Sequence, residues 1–171
     1  MKALKIVVPC VVILFNFFMA KNSLADDAMH IADYKYWSVY KTSDGTKYMV
    51  GYPIADEGNF AKRERPYFMV TNFAGTVETS VYVGYYYKKD SEPKIVVNLS
   101  AKDPKKVETY PFYTKNDMGW NKDRAKDSAL IASLKIGDKM IVSSESTKNT
   151  VAKDTYSLEG FSAAYAEIIK K

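Results

Sequence analysis

From residue 34 to residue 113 the sequence passes through six short runs of β-branched and aromatic residues, each closed by turn formers, a spacing that points to an antiparallel β fold. Residues 34–41 and 47–52 flank Ser43-Asp44-Gly45, which reads as a hairpin turn. Residues 66–73 follow, with Pro66 only at the start, where no ladder donor is lost. Residues 78–87 come after the turn formers Gly75 and Thr76, then 94–99 and 107–113, parted by the turn-rich stretch 100–104. The run 78–87 carries Tyr82, Tyr85, Tyr86 and Tyr87 out of fourteen tyrosines in the chain. Alternation would put Val81, Val83, Tyr85 and Tyr87 on one face and Tyr82, Gly84 and Tyr86 on the other. Two uses fit such crowding: cross-strand aromatic packing, or a ligand or partner surface built from rigid side chains.

Two later segments have helical spacing. Between 122 and 135, Ala125, Ala129, Ile131, Ala132 and Leu134 cover one side and Gly137 marks a stop. Between 158 and 169, Leu158, Phe161, Tyr165, Ile168 and Ile169 form an apolar stripe, with Ser157 placed as an N-cap. Residues 139–143 and 151–156 read as a closing strand pair. The expected fold is therefore mainly β: an antiparallel β-sandwich or partly open barrel of about eight strands with two short helices, one at the C-terminus. No repeat or linker divides it, so residues 26–171 are read as one domain, with 26–32 a loose N-terminus.

Residues 1–25 have the three parts of a cleavable export signal. Lys2 and Lys5 precede an apolar run from Ile6 to Phe18, and Ser23-Leu24-Ala25 supplies small residues at a cleavage point. The run is shorter than the ~20 residues that span a bilayer and is interrupted by Pro9 and Asn16, so no stable transmembrane segment is expected after cleavage. Cys10 lies within this run rather than behind a cleavage point, which argues against lipidation. Removing Lys2, Lys5 and Lys21 leaves 22 basic against 20 acidic residues, and the net charge falls from +5 to +2. With only three arginines and mixed charge, the exported part lacks the basic footprint of a nucleic-acid binder. It also lacks cysteine, and its 146 residues suffice for a core without disulfides.

His30 is the one histidine and falls in the expected loose segment, which removes Ser-His-Asp, Cys-His and His-rich zinc chemistry by composition. No cofactor is implied. What survives is carboxylate chemistry: Asp117, Asp123 and Asp127 gather around Trp120, and an aromatic ring beside carboxylates can hold a sugar for hydrolysis. A polar loop leading into a helix produces the same composition, with aspartate favoured at the helix start. A calcium loop fits less well, because the regular oxygen ligands and central glycine are missing. The basic groups Lys62, Arg63, Arg65 and Lys102, Lys105, Lys106 read as solvated loop charge.

The segment Asp154-Thr155-Tyr156-Ser157-Leu158-Glu159-Gly160-Phe161-Ser162-Ala163-Ala164-Tyr165 resembles the closing signature of the invasion-associated locus B family of alphaproteobacterial envelope proteins. Other pieces agree in order: Trp37-Ser38-Val39-Tyr40, Arg65-Pro66-Tyr67 with Val70-Thr71, and Val83-Gly84-Tyr85. So do Asp117 through Trp120, Asp123, Asp127, Ala129 and Leu130, and then Gly137, Ser146 and Thr150. The resemblance implies an exported, non-enzymatic binding protein, periplasmic, outer-membrane associated or secreted. It would be linked to host-cell invasion or envelope function and would contact an envelope or host component. Asp117, Trp120, Asp123 and Asp127 are the binding candidates; the alternatives are a carboxylate-dependent glycan-acting enzyme and a tyrosine-lined small-ligand carrier. The resemblance also implies a disulfide in relatives whose first cysteine position is Tyr48 here, so aromatic packing around Tyr48 and the terminal helix is expected to replace that staple.

Overall fold

The computed structural model describes residues 28–60, 62–103 and 105–170, so the export signal and Cys10 lie outside the described residues. Eleven strands form one antiparallel sheet that does not close. They are β1 (Met29–Tyr34), β2 (Trp37–Lys41), β3 (Lys47–Gly51), β4 (Ala55–Gly58), β5 (Tyr67–Phe73), β6 (Thr76–Tyr82), β7 (Lys94–Asn98), β8 (Val107–Lys115), β9 (Met118–Asn121), β10 (Lys139–Glu145) and β11 (Val151–Ser157). The spatial order is β1-β2-β3-β5-β6-β9-β8-β7-β10-β11-β4. A 3-10 turn at Arg124–Lys126 leads into helix α1 (Asp127–Ile136), and α2 (Phe161–Ile169) ends the fold.

Strand β8 makes the corner. Its first half pairs with β7 through Val96↔Thr109, and its second half pairs with β9 through Tyr113↔Trp120. The sheet thus folds into a first half (β1, β2, β3, β5, β6, β9) and a second half (β7, β10, β11, β4) whose inner faces meet. Period-2 alternation sends Trp37, Val39, Met49, Phe68, Val70 and Val81 inward from the first half, and Ile95, Val97, Met140, Val142 and Tyr156 inward from the second. Phe68 and Tyr156 meet edge to face across the interior, 6.5 Å between ring centres.

The terminal helix closes one end of this interior. Phe161 stands edge-on to Trp37 at 4.9 Å, and Trp37 Nε1 donates to the Ser157 carbonyl at 3.1 Å. Three bonds tie the helix to the first half: Tyr34 OH to Glu167 (3.0 Å), Asn72 Nδ2 to the Ile168 carbonyl (2.7 Å) and Lys47 Nζ to the Lys170 carbonyl (3.0 Å). Ser157 does not cap this helix; its hydroxyl accepts from Glu159 N–H, and the chain enters the helix through Gly160 at φ +91°. A Cβ at Gly160 would lie 2.0 Å from the Tyr34 carbonyl oxygen, so no other residue fits.

Several expectations shift. Residues 29–34 form an edge strand, with His30 hydrogen-bonded to Asp33 at 2.9 Å and edge-on to Tyr40. The expected strand 34–41 is broken by a turn at Lys35, which takes φ +57°. The strand expected over 78–87 ends at Tyr82, because Gly84 adopts φ +78° and lets Glu64 N–H reach the Gly84 carbonyl at 3.1 Å. The ladder stops there, yet the expected split of side chains persists: Val81, Val83 and Tyr87 are buried in the core with Tyr85 packed against it, while Tyr86 is exposed. Tyr48 stacks on Tyr40, 5.3 Å between centres, on the outer face of the first half. Helix α2 packs against the inner face, so Tyr48 takes no part in holding it.

Candidate functional site

The outer face of the first half gives the molecule its most unusual surface. The side chains opposite to the core on β2, β3, β5, β6 and β9 follow directly from strand register. One row runs Ser38, Val50, Met69, Ser80, Trp120 and, on β8, Tyr113. A second runs Tyr67, Tyr82, Met118 and Lys115, and a third Tyr40, Tyr48, Thr71 and Glu78. Solvent-facing positions of an antiparallel sheet normally carry polar and charged residues. Here, over these rows, only Glu78 and Lys115 are charged, in a chain with 26% charged residues.

The rings are organised in cross-strand pairs. Tyr40 stacks on Tyr48, and Tyr113 on Trp120 at 5.6 Å and 23°. Tyr67 leans on Tyr82 at 5.1 Å. Each such pair contributes on the order of 0.5–1 kcal/mol beyond burial. Val50, Thr71 and Ser80 are buried although they point outward, because bulky neighbours on the adjoining strands close over them. Stacking turns the ring faces toward one another, so the surface presents ring edges, hydroxyl tips and two thioethers.

One edge of this face is fixed by residues 62–66, which connect β4 to β5. Arg63 turns inward, with its side chain 3% exposed, and its guanidinium forms a two-point bond to Asp154, which is 0% exposed. Asp56 adds a contact at 3.3 Å and the Phe60 ring lies 4.2 Å from the guanidinium carbon. Arg63 is thus not solvated loop charge. Burial pushes the Asp154 carboxyl up from its ordinary range, with Arg63 opposing that rise. The next two residues turn outward onto the aromatic face. Glu64 accepts a hydrogen bond from Tyr82 OH, and Arg65 lies over the Tyr52 ring at 3.7 Å. Two open clefts of about 430 Å³ flank the structure, one beside residues 53–66 and one beside Tyr86, Tyr87 and Asn116.

Of the four candidates read from sequence, Trp120 belongs to the aromatic face. Asp117 sits in the turn between β8 and β9, near enough to Tyr67 and Tyr82 for its charge to oppose their ionisation. Asp123 is exposed and accepts from Ala125 N–H at 3.0 Å, a helix-entry role. Asp127 is buried and accepts from the Thr79 hydroxyl; burial raises its pKa against the pull of that bond. Neither of the two clefts is lined by any of these carboxylates. Among the described residues, no group of three or more His, Cys, Asp or Glu side chains could hold a metal ion. No described helix is long and apolar enough to cross a membrane.

Sequence reading missed the pairing of Tyr40, Tyr48, Tyr67 and Tyr113, although the outward phase of each was available from alternation. It also missed Arg63–Asp154. The signal was Asp154 itself, a carboxylate sharing phase with Ala152 and Tyr156 on a strand whose inward side is otherwise apolar.

The tyrosines should titrate in distinct classes. Burial holds the Tyr87 and Tyr156 hydroxyls far above their ordinary range, and burial plus the hydrogen bond to Glu64 does the same for Tyr82. A group that ionises only above its unfolded pKa stabilises the fold below that pKa, and the contribution is lost as pH rises further. Folding stability should therefore fall above pH ~10. Absorbance titration should show fewer than fourteen tyrosines ionising before the circular dichroism of the fold collapses. Ionisation of all of them in one step near pH ~10 with the fold intact would contradict the buried hydroxyls.

Comparison with protein-family models, with curated proteins and with solved structures finds no match to this chain.

Proposed function

We propose that this chain is an exported contact protein of a bacterial envelope, similar to invasion-associated locus B proteins, that works by binding through the aromatic outer face of its first half-sheet and catalyses no reaction. The observation that carries the reading is the composition of that face. Tyrosine, tryptophan, methionine and arginine are the residues enriched at the centres of protein interfaces, where lysine and glutamate are depleted. Tyrosine offers large contact area with little rotamer entropy to lose, and the stacked pairs hold the rings in place before any partner arrives.

The sequence features of the first 25 residues support export, and the likeness at residues 154–165 supports the envelope assignment. The separation of Asp123 from Asp127 supports contact over turnover, since one is solvated and the other bonded to Thr79. A periplasmic, outer-membrane or secreted location follows from the same reading.

The test uses the exported chain immobilised on resin and solubilised envelope or host-surface fractions. Tyr113→Glu places a charge on a residue that is 46% exposed, at the margin of the face, and should reduce specific capture about tenfold, a loss of ~1.4 kcal/mol. Ile141→Glu, on the outer side of the second half, should leave capture unchanged. Equal capture by both variants would reject the face as the contact surface, and substrate turnover by the exported chain would reject the non-enzymatic reading.

A further inference from the structure

The geometry points to a carbohydrate site in the cleft beside Tyr86, which takes a neutral pyranose unit of a glycan on the Tyr86 ring. The site lies apart from the aromatic contact face: Thr114 lines the cleft, whereas Tyr113 and Lys115 on either side of it point the other way.

Three connections meet here: residues 86–91, the turn from β8 to β9 and the turn from β10 to β11. Backbone bonds brace them. Tyr87 N–H donates to the Asn116 carbonyl (2.9 Å), Thr147 N–H to the Tyr86 carbonyl (3.1 Å) and Lys88 N–H to the Glu145 carbonyl (2.9 Å). The Tyr87 side chain anchors the first connection in the core. The cleft is thus shaped before any ligand enters, which avoids the entropy cost of ordering loops on binding.

The cleft holds about 430 Å³, within the range of small-ligand sites. Its apolar surface is Tyr86, which is 63% exposed, more than any other described aromatic residue, and stacks on no other described ring. In this it differs from the pairs Tyr40–Tyr48 and Tyr113–Trp120, whose ring faces are turned on each other. Around it stand Lys89, Asp90, Asn116 and Thr147, all exposed. Among the described residues, their side chains make no hydrogen bond or ion pair, so donors and acceptors are both at hand. The cleft beside residues 53–66 is of equal size, but its polar groups are engaged: Arg63 with Asp154, Glu64 with Tyr82, and Arg65 over the Tyr52 ring.

Charge narrows the ligand. Lys88 is held by Glu145 at 2.7 Å and Lys89 is balanced by Asp90, so the cleft has no net charge with which to collect a phosphate or a carboxylate. A single exposed ring among polar groups offers too little apolar surface for a lipid chain or a hydrophobic peptide. A pyranose matches both parts of the wall. Its C–H face packs on the electron-rich face of the ring, and its rim of hydroxyls both donates and accepts.

The test is saturation-transfer NMR of the exported chain with maltotriose, cellotriose, chitotriose and trigalacturonic acid. Each is used at roughly 10 mM, above the ~1 mM dissociation constant expected of one stacked ring with few hydrogen bonds. Transfer to the ring protons of at least one of the neutral sugars is expected. Tyr86→Ala should weaken that binding about tenfold, while Tyr86→Phe should retain it, because the ring face makes the contact. Asn116→Gly suits the turn at φ +60° and removes only the amide, so a loss of about threefold is expected. Tyr113→Glu should leave sugar binding unchanged.

Transfer to none of the neutral sugars, transfer to trigalacturonic acid alone, or binding indifferent to Tyr86→Ala would overturn the proposal. Sugar binding lost in Tyr113→Glu would move the contact to the aromatic face and overturn it as well. Envelope capture that falls in Tyr113→Glu but not in Tyr86→Ala, with sugar binding showing the reverse, would establish two separate surfaces.

Discussion

Replacing Arg63 by Ala is expected to lower the unfolding free energy by about 3–5 kcal/mol, because it leaves the Asp154 carboxylate buried without its counter-charge. For a domain of this size the melting temperature should fall by roughly 10 °C. The loss has a pH signature that separates it from ordinary packing damage. Burial already raises the Asp154 carboxyl, and removing the guanidinium takes away the main opposing influence. A carboxyl whose folded pKa lies above its unfolded value favours the fold when protonated, and that contribution disappears as pH rises through the folded value. The gap between variant and native chain should therefore narrow as pH falls from 7 toward 4. The carboxylates Asp33, Asp44, Glu92, Glu108 and Glu167, all lowered by hydrogen bonds, act in the opposite sense in both proteins and cancel in the comparison. Denaturant titrations at several pH values measure this directly; a pH-independent gap would show that Arg63 acts by packing alone. Replacing both partners with apolar residues of similar volume should recover much of the loss, as it leaves no buried charge.

Phe161→Ala is expected to cost about 3–5 kcal/mol, and ending the chain after Gly160 should abolish cooperative folding. Phe161, Ala164 and Ile168 are each 0% exposed, and the Phe161 ring is the edge-on neighbour of Trp37. Truncation would also open Trp37 to solvent and remove the acceptors for Asn72 and Lys47. With no disulfide among the described residues, the first half-sheet is joined to the C-terminal end by packing such as Trp37–Phe161 and by the hydrogen bonds to the helix. Thermal melts followed by Trp37 emission would test this; a truncated chain that melts where the intact one does would show that the helix is an appendage. Tyr48→Ala, by contrast, should cost on the order of 1 kcal/mol, the worth of one cross-strand ring pair.

These expectations depend on features of unequal legibility. The strands at 47–51, 67–73, 94–98, 139–145 and 151–157 can be read from sequence because each buries one face, and burial of one face enforces a period of two. The edge strands β1 and β4 could not be, since their exposed residues show no such period. The break at Tyr82 depends on Gly84, whose left-handed backbone serves a contact with Glu64 twenty positions earlier in the chain. That contact is invisible to local pattern. The carboxylate group around Trp120 illustrates the same limit: its members are close in sequence, yet a hairpin turn, a loop and a buried helix start send them to three environments.

By itself the sequence determined that this chain is a mainly β domain with a C-terminal amphipathic helix, held together by packing, because alternation, turn chemistry and composition are local properties. Which strands became neighbours was decided only by the tertiary structure. The corner in β8, the insertion of β9 between β6 and β8, and the burial of Arg63 against Asp154 each join residues far apart in the chain, and their favourable energy exists only once both parts have folded. The aromatic face belongs to this second class. Its phase was written in each strand, and its continuity came from the order in which the strands assembled.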